Sequence, residues 1–171
     1  HRTHRPESEA ELREMAHSYG LMLTRGLEVE TDLGHVVALG LNGYVGGMHS
    51  AEKLRKVADD AGGLLIAVHP FRRLFFHREA TEAELGALVE AKAQLPLLQL
   101  VDEIEVANGA CSDTENLLAL KVARRLGKRG TGGSDAHSAH GIGCFVTVFD
   151  RRIGSTAEMV AELKAGRFHA G

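Results

Sequence analysis

The stretch Gly132-Gly133-Ser134-Asp135-Ala136-His137 closes a short run of strand type and presents a carboxylate and an imidazole two positions apart. On extended backbone, residues i and i+2 project to the same side, and the two glycines let the chain turn sharply before the pair. A divalent ion can take one oxygen and one nitrogen from such a pair. An Asp-x-His also arises in ordinary solvated loops, so the weight of the reading falls on what lies upstream.

Immediately upstream, Ile104-Glu105-Val106 reads as a strand and Asn108-Gly109 as a turn. Ser112 or Asp113 then starts a helix carrying Leu117, Leu118 and Val122, which stops at Gly127. Further back, Thr81 with Glu84 forms a capping box for a helix to about Ala93. Leu64 to Val68 is a continuous apolar run of buried-strand type, closed by His69-Pro70. Ser50 to Ala61 is a helix ended by Gly62-Gly63. Leu21 to Val29 and Val36 to Leu41 read as strands around an Asp32-Leu33-Gly34 turn. Ser8 to Tyr19 is an amphipathic helix with Glu11 completing a capping box. Downstream, Cys144 to Phe149 reads as a strand and Ser155 to Ala165 as a helix, with Glu158 in a third box. Strands alternating with helices define an α/β protein with a largely parallel sheet, whose functional groups collect at the carboxyl ends of strands.

The 171 residues suit one domain with a sizeable core. A 44% apolar and 25% charged composition is that of a globular chain, and no apolar run approaches the ~20 residues of a membrane span. The net charge of −3, without a cluster of Lys or Arg, argues against a duplex nucleic-acid surface and leaves small anionic substrates open. Cys111 and Cys144 are too few and too distant for a disulfide framework, so a reducing, cytoplasmic compartment is expected.

The metal-type side chains sit where the strand-end rule wants them: Glu28 late in one strand, His35 starting the next, His69 ending a third, Asp135 and His137 after a fourth. Singly, each has a structural alternative: an exposed turn for Glu28, packing beside Pro70 for His69, a helix cap for Asp135. Five N/O donors at strand termini together favour a Zn, Mn or Fe site over a thiolate one. Arg72 or Arg73 can clamp a phosphate bidentately or serve as solvated loop charges. His49, His77 and His140 are read as loop histidines, with substrate contact or a general-acid role as the alternative, and Cys111 as a small packed residue rather than a ligand.

The pieces Gly26-Leu27-Glu28-Val29-Glu30, Gly34-His35-Val36-Val37-Ala38-Leu39-Gly40, Ala67-Val68-His69-Pro70-Phe71-Arg72, Glu105-Val106-Ala107-Asn108-Gly109 and Gly133-Ser134-Asp135-Ala136-His137, followed by Ile142-Gly143 and Thr147, resemble the PHP (polymerase and histidinol phosphatase) domain family. The resemblance implies a distorted (β/α)7 barrel with two or three divalent metals at its carboxyl end, hydrolysing phosphoesters. It implies that Glu28 bridges two metals, His35 and His69 complete the second, Asp135 holds the first and His137 the third. The family opens with an Asp-Leu-His-x-His-type strand that this sequence lacks, so the expected barrel is missing its first strand. His1 stands where a surviving histidine of the next family motif is expected, with His4 competing for the role. The chain begins at His1 without an initiator Met, and a segment of a longer protein is expected.

Two ions ~3.5 to 4 Å apart neutralise a phosphoester's oxygens and bring the pKa of a bound water near neutrality. A carboxylate shared between them offsets their repulsion, which suits Glu28. The leading expectation is a metal-dependent phosphoesterase, with Glu28, Asp135 and Arg72 as its catalytic groups, acting on a small phosphomonoester, nucleotide or short oligonucleotide. The alternatives are a non-catalytic metal-binding or structural domain of a larger protein, and metal-assisted hydrolysis of a carbon-nitrogen bond.

Overall fold

The structure, a computed structural model, describes residues 9–75 and 80–171. His1, His4, His77 and the Ser8 cap position considered above lie outside the described residues. In chain order the elements are α1 (Glu9–Ser18), β1 (Gly26–Thr31), β2 (Gly34–Leu39), α2 (Ala51–Asp60), β3 (Leu64–Ala67), α3 (Glu82–Lys92), α4 (Pro96–Leu100), β4 (Glu103–Asn108), α5 (Asp113–Arg125), β5 (Thr131–Gly133), β6 (Thr147–Phe149), α6 (Thr156–Lys164) and β7 (Phe168–Ala170).

The main sheet runs β1-β2-β3-β4-β5 in sequential order, and β6 pairs with β7 in a second, two-stranded sheet. The expectation of a largely parallel sheet is corrected here. β1–β2 and β2–β3 are antiparallel, whereas β3–β4 and β4–β5 are parallel. The first reversal follows from the short Asp32-Leu33 loop, which can only close a hairpin. The second follows from residues 40–49, which return the chain to the hairpin turn before α2 begins. Asp32 at the hairpin turn receives the Ala51 N–H on its Oδ1 at 2.8 Å and donates its own N–H to the His49 carbonyl at 2.8 Å. With α2 thus starting at the hairpin end, β3 must ascend from the opposite end, antiparallel to β2.

Side chains alternate between two cores. Val36, Ala38, Leu65 and Ala67 face α2 to α5 through Leu54, Leu97, Leu98, Leu118 and Val122. Leu39, Leu64, Ile66 and Val68 face α6 and β7 through Val160, Leu163 and Phe168. Leu64 and Leu65 are both fully buried, on opposite faces of one strand, each burial worth roughly 1.5–3 kcal/mol. The helices start as their caps dictate: reciprocal capping boxes join Thr81 with Glu84 and Ser112 with Glu115. At α6 Ser155 caps Glu158, but the Glu158 carboxylate turns to the Gly154 N–H at 2.9 Å.

Two strands are shorter than their sequence runs. Leu21 to Arg25 stay outside β1, because Gly26 already faces Leu39, the last residue of β2, and the chain leaves the ladder at Gly40, φ +79°. Residues 144–146 likewise precede β6. The short α4 and β7 were not foreseen; Pro96, at the first turn of α4, is the one signal in the sequence for it. Among the described residues no helix is long and apolar enough to cross a membrane.

Candidate metal centre

Glu28 pairs with Val37 across the hairpin, two residues from His35, so Glu28 and His35 share one face of the sheet diagonally. His69 follows β3, the next strand over, and is held at φ +33°. The Nδ1–H of His35 and the Nε2–H of His69 both donate to Glu28 Oε1, at 3.1 and 3.3 Å. The two rings stand 5.2 Å apart, and one donor atom from each of the three residues lies within 4.8 Å of the others. The hydrogen bond from His35 holds the Glu28 carboxyl below its usual range; partial burial opposes this, and His69 adds to it. One carboxylate oxygen and two imidazole nitrogens form a donor set that suits a divalent ion.

A fourth residue belongs to this region and was missed as a functional candidate. Glu105, in the middle of β4, is buried, and its Oε2 accepts the His69 backbone N–H at 2.8 Å and the Asn108 Nδ2–H at 2.9 Å. Burial pushes its carboxyl up to about 7, the two hydrogen bonds oppose that, and the nearby Asp135 and Glu28 carboxylates raise it further. The signal was present in the sequence: Glu103 and Glu105 are acids inside a strand otherwise of core type, and such groups persist only with partners.

Asp135 emerges after β5 at the same end of the sheet, at φ +47°. Arg72, in the loop after β3, donates from Nη1 to Asp135 Oδ2 at 3.2 Å. Among the described residues no backbone N–H reaches the Asp135 carboxylate, so it is not a helix cap. His137 is largely exposed and its Nδ1 turns to the Asp135 carbonyl at 2.9 Å. Asp135 and His137 therefore stand beside the Glu28, His35 and His69 group without joining it. His69, Arg73 and Asp135 are the described non-glycine residues in the left-handed region, and all three flank this site. Such backbone strain concentrates where surrounding structure holds a group in place for use.

A cavity of ≈ 570 Å³ opens beside the centre, lined by His35, His69, Arg72 and Arg73 on its polar side and by Leu33 and Pro70 among its apolar residues. His49 and His140 are exposed and lie outside the donor group. Cys111 is half-buried, and burial first, then the surrounding carboxylates, pushes its thiol up to about 12. It stays protonated and packed, as expected from the sequence.

Fold and site together define an α/β domain with a nitrogen-and-oxygen donor cluster at its strand ends. Residues 113–168 match the family described as PHP-associated, a region spanning α5, the Gly-Gly-Ser-Asp-Ala-His turn and α6. The fold is similar to that of PsfC from Pseudomonas syringae PB-5123, with a TM-score of 0.61 at 20% identity over 89% of this chain. The chain spans 60% of that protein's length. It is also similar to a protein of Bifidobacterium adolescentis provisionally named a metal-dependent phosphoesterase, with a TM-score of 0.50 at 14% identity over 88% of this chain and 80% of the other. No curated protein matches the chain. The match over residues 113–168 accords with the PHP-domain resemblance carried by the sequence motifs, and the two solved structures share the fold.

Proposed function

We propose that this domain is a metal-dependent phosphoesterase acting on a small phosphomonoester, nucleotide or short oligonucleotide. The observation that carries the reading is the convergence of Glu28, His35 and His69 on a cluster 4.8 Å across, opening onto a cavity that also exposes Arg72 and Arg73. The donor chemistry fits a divalent ion: the carboxylate is held ionised by His35, and both rings already point a nitrogen at it. Glu28, His35 and His69 would hold one ion; Asp135 and His137, with His1 from outside the described residues, would serve further ones. A bound divalent ion supplies charge neutralisation for phosphate oxygens and a water acidic enough to ionise near neutral pH.

The chain's own groups account for binding and orientation. Arg72 is delivered to the cavity by the loop after β3, where its guanidinium can engage two phosphate oxygens at once. Its present partner is Asp135, from the loop after β5. The left-handed turn at His69 sets the imidazole against Glu28 rather than along the strand. The sequential order β1 to β5, with β6 and β7 following, supports an opened wall of the distorted barrel named above.

The test is a panel of phosphomonoesters and dinucleotides assayed with the protein loaded with Mn or Zn, beside a His69→Ala variant. Turnover that needs the ion and disappears in the variant supports the reading. A metal-binding domain without catalysis is the second reading, favoured by the fact that among the described residues the donors form a single such group. It predicts bound metal with no turnover on any member of the panel.

A further inference from the structure

Glu105 touches both halves of the site without being one of its donors. Its Oε2 receives the backbone N–H of His69, the one described position after β3 whose left-handed φ determines where an imidazole donor points. The same oxygen receives Asn108 Nδ2–H, which fixes the carboxylate from its own strand, and Asn108 is pinned in turn through its N–H to Asn116 Oδ1 at 3.0 Å. The other oxygen, Oε1, lies against Gly133 so closely that a Cβ there would collide with it. Gly133 is two residues before Asp135. One side chain from the central strand β4 thus bridges the end of β3, which carries His69, and the end of β5, which carries Asp135.

We propose that Glu105 is a positioning residue: its carboxylate holds His69 in the left-handed conformation that brings the ring to Glu28, and the missing side chain at Gly133 is the space this bracket needs. The inference rests on the metal-centre reading above. Without Glu105 the part-buried N–H of His69 would lose its acceptor, and the backbone would relax toward ordinary φ, carrying the ring away from Glu28. Outer groups that orient a ligand in this way typically control metal affinity by about 10–100-fold.

The experiment is titration of the whole purified protein with Zn or Mn, following affinity, with folding checked by circular dichroism. Glu105→Ala should lower affinity at least about tenfold. Glu105→Gln keeps a carbonyl oxygen that accepts from His69 and Asn108, and should bind metal close to the parent. Gly133→Ala should resemble Glu105→Ala, because the new methyl displaces the carboxylate. Gln as damaging as Ala would mean that the charge, and not the bracket, is what matters, and would overturn the proposal; so would parental affinity in Glu105→Ala. His69→Ala separates the two levels. If it loses metal while Glu105→Ala does not, the positioning role alone fails; if it binds metal like the parent, the metal centre fails and the proposal with it.

Discussion

Arg72 and Asp135 face each other across the mouth of the site, Nη1 to Oδ2 at 3.2 Å, joining the loop after β3 to the loop after β5. The pair is partly exposed, so its own contribution to stability is small. Its consequence lies in function: a cation suited to phosphate and a carboxylate suited to metal are kept within reach of one cavity.

Asp135→Asn should therefore abolish hydrolysis while sparing the fold. Asn tolerates the left-handed φ that Asp135 adopts, and it keeps the shape while losing the charge. Turnover on a phosphomonoester is expected to fall at least about a hundredfold, on the order of the loss of one key electrostatic contact. The thermal transition of the metal-free proteins should agree within a few degrees. Parental turnover with parental metal content would remove Asp135 from the site.

His69→Ala should reduce the divalent metal retained per chain after dialysis. One of three converging donors is lost, and the remaining Glu28 and His35 are both half-exposed. Elemental analysis decides the matter, and unchanged metal content would contradict the assignment.

Arg72→Lys should raise KM for a phosphomonoester without restoring what Arg provides, because an ammonium cannot present two parallel N–H groups. A loss of about tenfold or more in kcat/KM is expected, in line with the ~1.5–3 kcal/mol of a hydrogen bond to a charged group. Parental kinetics in Arg72→Lys and Arg72→Ala alike would mark Arg72 as a solvated loop charge.

Away from the site, Glu162 is buried between Arg167 and Arg151, and their hydrogen bonds, that of Arg167 first, bring its carboxyl down to about 2. A folded-state pKa below the ordinary value means stability that is present above about 4.5 and lost as pH falls toward 2. Glu162→Gln should lower Tm at pH 7, and the gap between parent and variant should shrink as pH drops through that window. Thermal melts of both proteins across the range measure it; a gap independent of pH would contradict the ion cluster.

The donors that could be read from the sequence were those lying at strand ends beside turn residues. Glu28 and His35 flank the hairpin turn and His69 precedes a Pro, whereas the face that Glu28 and His35 share follows from the register of β1 with β2. Glu105 was not legible in this way, since Ile104-Glu105-Val106 looks like any strand and its value depends on His69 and Gly133 arriving from elsewhere. The sheet's direction was hidden for a similar reason. Nothing local in residues 40–49 declares that they run back to Asp32, and that return is what makes β3 antiparallel to β2. Asp135 pairs with Arg72, a long-range contact that no local pattern encodes.

That return segment also fixes an order of events. Because β1 and β2 form a hairpin, Glu28 and His35 are gathered by contacts of short sequence separation, whereas His69 arrives only after the return segment and α2, and Asp135 after two parallel crossovers. Local antiparallel pairings close sooner than distant parallel ones. A refolding chain would thus bring Glu28 and His35 together before His69 and the loop bearing Asp135 dock, and amides of β1 and β2 should gain exchange protection ahead of those in β3 to β5.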